Sequence, residues 1–271
     1  MLLNIRHTTV YAFEAPMRFV TQSHRLTPVS NGGQKVRSWS ISAEGAEFGA
    51  AFTDGAGDRV TTMTVQGPVD RIEILVAGEV ETADTTGVLR GHRELVSPVT
   101  YLQPTAATAP TGALAELVKK TVEAAHGTEL SRAHRFSEVV SEAIAYVPGS
   151  THAHTTAAEA VELGEGVCQD HAHALIAIAQ AGGLPARYAS GYLLADDEAA
   201  ESDASHAWAE INIAGLGWVG FDPANACCPD ERYVRLGSGR DAREAAPIRG
   251  VSRGGGAEAL DVRVEIAQRQ Q

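Results

Sequence analysis

The chain has 271 residues, and 44% of them are hydrophobic, which is enough apolar material for a sizeable core. Its formal net charge of −12 argues against a general electrostatic grip on nucleic acid or on an anionic membrane surface. The chain is longer than a usual single domain. We therefore expect two modules, or one core with an appended module, and no nucleic-acid partner.

The N-terminal residues lack the pattern of a secretion signal, because Arg6, His7 and Glu14 interrupt the early apolar residues. No stretch reaches the roughly 18 apolar residues that a membrane span needs. The chain has three cysteines, two of them adjacent at Cys227 and Cys228, and these do not form a disulfide framework. We therefore expect a cytoplasmic protein with free thiols and no membrane partner.

The first part of the chain carries short runs with strand character, separated by turn clusters rich in Gly, Asn and Asp. Regular short strands separated by such turns are typical of an antiparallel β-sandwich. We predict a β-rich domain of this kind over residues 1–100. The predicted strands span residues 2–12, 36–43, 60–65 and 69–81.

A segment rich in Pro, Thr and Ala, residues 98–110, is typical of a connection between modules. Beyond it, apolar residues recur at helical spacing, which predicts amphipathic helices over 112–125 and 131–145. A shorter helix is predicted over 156–163, with Thr156 as part of its N-terminal cap. The last of these helices is followed by the glycine-rich segment 164–166.

Cys168 lies at the start of the next predicted helix. Gly164 and Gly166 precede it, and apolar residues then recur on one helical face until the stop signal at 182–185. Unpaired amide groups and the positive end of the helix dipole favour a thiolate there, which is the nucleophilic form of the side chain. A single cysteine is more often a small buried apolar residue. Cys168 is therefore a candidate nucleophile that needs partners.

A predicted β-hairpin supplies those partners, with strands over 206–213 and 218–222 joined by a glycine-rich turn. Asp222 ends the returning strand, so its carboxylate can lie beside the ring of His206 at the start of the outgoing strand. Cysteine catalysis needs a thiolate, an imidazole and a third group that orients the imidazole. We predict that Cys168, His206 and Asp222 form this triad.

The remaining predictions concern the segments around the hairpin. A strand is predicted over 186–194, an exposed acidic loop over 195–205, an irregular stretch over 237–249 and a last strand over 260–266. Strand alternation places His206, Trp208 and Glu210 on one face. Asn225 and Gln169 are candidates to orient His206 or a developing oxyanion, and Trp208 and Trp218 are predicted to pack in the core.

Several short motifs follow one another in a defined order: Gly-x-Gly-Val-Cys-Gln-Asp at 164–170, Leu-Pro-Ala-Arg-Tyr at 184–188, Ser-Gly-Tyr at 190–192, Ser-His-Ala-Trp at 205–208 and Gly-Trp-Val-Gly-Phe-Asp-Pro at 217–223. Together they resemble the transglutaminase-like superfamily, and most closely its bacterial branch, in which a β-rich N-terminal region precedes a papain-like core. The resemblance implies that Cys168, His206 and Asp222 occupy the positions of the catalytic Cys, His and Asp.

The resemblance implies an α+β fold, with a β-sandwich-like N-terminal domain and, over residues 101–271, a papain-like transglutaminase core with C-terminal strands. It implies a cysteine-dependent acyl-transfer enzyme that acts on an amide, peptide or isopeptide bond of a protein or peptide substrate, without a cofactor. Hydrolysis is favoured over cross-linking. Two other interpretations stay open: a non-catalytic peptide-binding module on this fold, and a metal-dependent hydrolase using Cys168 with nearby histidines at 152, 154, 171 and 173.

The sequence departs from the superfamily pattern at positions near the triad. His171 stands where an aromatic residue such as Phe is expected, and Ala224 stands where Thr is usual. No tryptophan occurs shortly before Cys168, where the animal enzymes of the superfamily use one to stabilise the oxyanion. The backbone amide of Cys168 is therefore the one oxyanion donor that the sequence indicates.

Overall fold

The structure is a computed structural model, and it describes residues 1–195 and 205–269. The acidic segment predicted as an exposed loop falls almost wholly outside these residues. The strands are β1 Leu2–Thr27, β2 Gln34–Ala43, β3 Ala46–Thr53, β4 Arg59–Thr82, β5 Ala145–Tyr146, β6 Glu165–Gly166, β7 Ala186–Leu193, β8 Ser205–Ile213, β9 Gly217–Phe221, β10 Tyr233–Gly239, β11 Ile248–Arg253 and β12 Glu258–Gln268. The α-helices are α1 Gly112–Ala124, α2 Glu129–Ala143, α3 Ala157–Leu163 and α4 Cys168–Ala181, and a 3-10 helix spans Pro98–Leu102.

Two long antiparallel strands, β1 and β4, form the centre of a six-stranded sheet. Apolar side chains alternate along β1, so that Leu3, Ile5 and Val20 are buried while intervening residues face outward. Strands β2 and β3 pair with β4, and β11 and β12 pair with β1. The α+β class with antiparallel strands is confirmed, and the separate runs predicted at 60–65 and 69–81 are parts of β4.

The C-terminal strands require a correction to the predicted layout. The sequence predicts that residues 101–271 form the core together with these strands, but β11 and β12 pair antiparallel with β1, in the registers His24↔Ile248 and Leu3↔Gln268. Both ends of the chain therefore share one sheet. The alternation of apolar residues in a strand marks its buried face but does not identify its partner strand. The domain boundary at residue 100 itself stays a prediction.

A second, four-stranded antiparallel sheet has the order β10-β7-β8-β9. Helix α4 packs against it, with its buried apolar side chains, among them Leu175 and Ile176, in one cluster with Ala207, Ala209 and Ile211 of β8. The predicted hairpin is confirmed as β8 and β9. Strands β3 and β10 were not predicted, and part of the stretch expected to be irregular is strand.

Local signals explain how the chain reaches α4. Thr156 and Glu159 form a reciprocal capping box at the start of α3, as the predicted cap requires. Gly164 ends that helix in the left-handed conformation with φ of 71°, which glycine adopts without steric cost. The next residues pair in parallel with β5 as strand β6, and α4 begins directly afterwards.

Within residues 1–195 and 205–269, no helix is both long enough and apolar enough to cross a membrane.

Candidate active site

Cys168 is the first residue of α4, as predicted, and its half-buried side chain packs against the core cluster beneath the helix. The carboxylate of Asp170 accepts hydrogen bonds from the backbone N–H of Val167 at 2.8 Å and from the hydroxyl of Thr151 at 2.6 Å. Gly166 is needed here, because a Cβ on it would lie 2.8 Å from the Cβ of Asp170. These contacts hold the start of the helix in place.

His206 lies between the other two predicted triad residues. Its Nε2 is 2.6 Å from Oδ2 of Asp222, and its ring also forms a side-chain hydrogen bond with Cys168. Because Nε2 is engaged by Asp222, Nδ1 is the nitrogen left for the thiol. The structure thus brings Cys168, His206 and Asp222 together in the order that the chemistry requires, while their catalytic roles remain predictions.

The electrostatics of this group favour a charged imidazole. Burial lowers the pKa of His206, but the hydrogen bonds and charges of Asp222 and Cys168 outweigh it and raise that pKa to about 10. Burial raises the pKa of Asp222, yet the hydrogen bond and charge of His206 bring the net shift below the ordinary value. His206 is therefore arranged as a proton carrier held by an ionised carboxylate.

The carboxylate of Asp222 is fully buried and receives several further hydrogen bonds. Tyr233 donates its hydroxyl to Oδ2 at 2.8 Å, and Asn225 donates its side-chain amide to the same oxygen at 2.7 Å. The backbone N–H groups of Ala224 and Asn225 point to Oδ1. Asn225 also lies 3.3 Å from Nε2 of His206, in agreement with its expected position, whereas Gln169 instead contacts the carbonyl of Ala153.

Tyr233 is the residue that the sequence did not indicate, because the strand that carries it was not predicted. We expect Tyr233→Phe to lower kcat by about tenfold, since one hydrogen bond to a charged group is lost while two side-chain donors remain on Asp222. The measurement is kcat for turnover of a glutamine-containing peptide. Tyr11→Phe, a change at another buried tyrosine, is the control. Equal rates for both variants would contradict a role for the hydroxyl.

The two histidines of α4 that were considered for a metal site, His171 and His173, have other hydrogen-bond partners. Both ring nitrogens of His171 lie 2.9 Å from backbone carbonyl oxygens, those of Val167 and Ile144. Nε2 of His173 accepts a hydrogen bond from the backbone of Ala242, and burial lowers the pKa of His173 to about 4. Within the described ranges, no group of three or more His, Cys, Asp and Glu side chains is arranged to hold a metal ion.

A buried charge network lies on the face of β8 that carries His206. Glu210 bonds to the guanidinium groups of Arg187 and Arg235, at 2.7 Å in each case. Arg187 also contacts Glu94 at 2.5 Å, and Arg235 contacts Asp58 at 2.6 Å. Since Asp58 directly precedes β4, the network joins the N-terminal sheet to the sheet of the candidate site.

Comparisons with known proteins identify the family to which the chain belongs. The family model for the transglutaminase-like superfamily matches residues 115–223, and the model for the bacterial transglutaminase-like N-terminal region matches residues 3–81. An uncharacterised protein of Mycobacterium leprae is 30% identical over 285 aligned positions, which cover 98% of each chain. The chain belongs to the transglutaminase-like superfamily.

Two further proteins are similar to this chain. An uncharacterised protein of Mycobacterium tuberculosis is 41% identical over 115 residues, which cover 39% of this chain and 37% of that protein. Among solved structures, a candidate cysteine protease from Cytophaga hutchinsonii superposes with a TM-score of 0.78 at 22% identity, covering 100% of this chain and 91% of the other. At this identity the superposition shows that the two proteins share a fold.

Proposed function

We propose that the protein is a cysteine-dependent acyl-transfer enzyme whose nucleophile is Cys168. The observation that carries the proposal is the position of His206, which is hydrogen bonded to Cys168 on one side and to the buried Asp222 on the other. A histidine in a merely structural role does not need both a helix-start thiol and an ionised carboxylate as partners. The superfamily assignment supports the same chemistry.

In the proposed reaction, the thiolate of Cys168 attacks the carbonyl carbon of an amide, and the carbonyl oxygen becomes an oxyanion that the backbone N–H of Cys168 stabilises. The imidazolium of His206 gives its proton to the leaving nitrogen as the C–N bond breaks, which leaves a thioester. An acceptor then attacks the thioester, His206 takes the acceptor's proton, and the sulfur leaves as thiolate. Asp222 holds the ring and stabilises its charge throughout.

We propose water as the acceptor, so that the protein hydrolyses a peptide, amide or isopeptide bond in a protein or peptide substrate. The resemblance to the bacterial branch and the fold shared with a candidate cysteine protease favour this choice over cross-linking. The chemistry up to the thioester is common to both reactions, so the acceptor decides between them.

The test offers both acceptors at once. The protein is incubated with a glutamine-containing peptide and a labelled primary amine, and mass spectrometry compares the hydrolysed peptide with the amine adduct. We expect turnover with the hydrolysed product in excess, no turnover by Cys168→Ala, and unchanged turnover by Cys228→Ala, which alters another free cysteine. An excess of amine adduct would reassign the protein to cross-linking. Equal turnover by Cys168→Ala would contradict the proposed nucleophile.

A further inference from the structure

His171 has an unusual pair of hydrogen-bond partners. Its ring is buried, with 2% of its surface exposed, and its Nδ1 and Nε2 both lie at donor geometry 2.9 Å from carbonyl oxygens, those of Val167 and Ile144. A carbonyl oxygen only accepts hydrogen bonds, whereas a neutral imidazole has a single N–H. A ring that satisfies both contacts must carry a proton on each nitrogen.

We propose that His171, as a double N–H donor, is a positioning residue for the oxyanion site of the proposed acyl-transfer reaction. The carbonyl of Val167 and the N–H of Cys168 belong to one planar peptide group. That carbonyl also accepts the backbone N–H groups of Asp170 at 3.0 Å and of His171 at 3.2 Å, which hold the plane of the peptide. The charged ring adds a third donor, which polarises the peptide further and makes the N–H of Cys168 a stronger donor. The second bond, to Ile144, ties this peptide to the end of α2.

The charge that this role requires needs an acidic side chain to compensate it. Asp170, the preceding residue of α4, is a fully buried carboxylate, and its Oδ1 has no hydrogen-bond partner in the part of the chain that the structure describes. A buried cation is tolerated when it is hydrogen bonded and compensated by a nearby opposite charge. The aromatic residue expected at position 171 could fill the same space and would keep the backbone N–H bond to the carbonyl of Val167, but its side chain would donate no hydrogen bond to that carbonyl.

The proposal predicts different effects on two reactions of the Cys168 thiol, alkylation and acylation. Alkylation by iodoacetamide displaces iodide from a saturated carbon, and no oxyanion forms. Acylation by p-nitrophenyl acetate passes through a tetrahedral oxyanion before p-nitrophenolate leaves. We expect His171→Phe to slow acylation by about 10- to 100-fold, which is at or below the effect of losing a whole oxyanion donor, while alkylation stays within about twofold of wild type. Equal losses in both reactions would overturn the proposal.

A second variant and a spectroscopic measurement keep the proposal testable if the Phe variant does not fold. His171→Asn places its side-chain amide nitrogen close to the position of Nδ1, so it can keep a neutral hydrogen bond to the carbonyl of Val167 and should restore part of the acylation rate. A ¹⁵N–¹H long-range correlation spectrum of the wild-type protein at pH 7, with the signals of His171 assigned by their loss in His171→Asn, should show both ring nitrogens protonated. A neutral tautomer would overturn the proposal.

These readouts are independent of the proposed function as a whole. Failure of that function would appear as acylation of Cys168→Ala at the wild-type rate, whereas the protonation of His171 is read without any contribution from Cys168. His173→Phe alters an equally buried histidine of α4 that does not contact the Val167 peptide, and we expect it to change acylation and alkylation to the same extent. A loss confined to acylation in that variant would also count against the proposal.

Discussion

Asp222→Asn should lower kcat by about 10³- to 10⁴-fold, the size of effect seen when a triad carboxylate becomes an amide. Oδ2 of Asp222 accepts from His206, Tyr233 and Asn225, and Oδ1 faces two backbone N–H groups. The side-chain amide of the substituted residue has one NH₂ group, which cannot accept a hydrogen bond. In either orientation of the amide, that NH₂ group faces N–H or O–H groups that also donate. The substitution therefore removes the charge and also disrupts the hydrogen bonds that place the ring of His206.

The pH profile provides the matching measurement. The pKa of His206 is raised to about 10, so activity that needs the imidazolium should persist into alkaline solution and fall as the pH passes about 10. In Asp222→Asn, burial still lowers that pKa while the charge of the carboxylate no longer raises it, so the alkaline fall should begin at lower pH. A variant with wild-type kcat and an unmoved alkaline limb would contradict the orienting role of Asp222.

The raised pKa of His206 also affects stability. Because the folded protein holds this proton more tightly than the unfolded chain, the contribution is fully present below the ordinary value of 6.5 and is lost as the pH rises through about 10. Urea unfolding of the wild type and of Asp222→Asn, measured between pH 6 and pH 10, should therefore show a difference that diminishes as the pH rises.

Local patterns account for the parts of the fold that the sequence predicted. Helical periodicity identified α1, α2 and α4, and the glycine-rich turn identified the hairpin of β8 and β9. Strand pairing over long distances has no such local signature. The partnership of β12 with β1, in which Ile266 lies opposite Ile5, and the edge position of β10 beside β7 are therefore known only from the structure.

In the candidate site, too, contacts within a local motif could be predicted from the sequence, whereas contacts between distant segments could not. His206 and Asp222 lie on one hairpin, so their proximity followed from a turn and two strand lengths. Tyr233 reaches Asp222 from a strand that was not predicted, and no periodicity links it to the triad. His171 was noted as a departure from the superfamily, but its two carbonyl partners come from a helix end and a loop that only the folded chain brings together.

Glu210→Ala should destabilise the protein by about 3–5 kcal/mol, because it leaves the buried guanidinium groups of Arg187 and Arg235 without the carboxylate they share. Each arginine keeps one other acidic partner, Glu94 or Asp58. The measurement is the free energy of unfolding in urea at pH 7. Glu138→Ala, which removes the partner of an exposed arginine, is the control and should change that free energy by less than about 1 kcal/mol.

The pH dependence of stability at acid pH provides a second, independent test of this prediction. Burial raises the pKa of Glu210, but Arg235 and Arg187 outweigh it and lower that pKa to about 2. The stabilisation is therefore fully present above the ordinary value of 4.5 and is lost as the pH falls toward 2. The difference between wild type and Glu210→Ala should stay constant from pH 7 to about pH 5 and shrink below it, because only the wild-type protein has this carboxylate to protonate. A pH-independent difference would mean that the variant loses packing rather than charge, and the link between the two sheets would then be apolar.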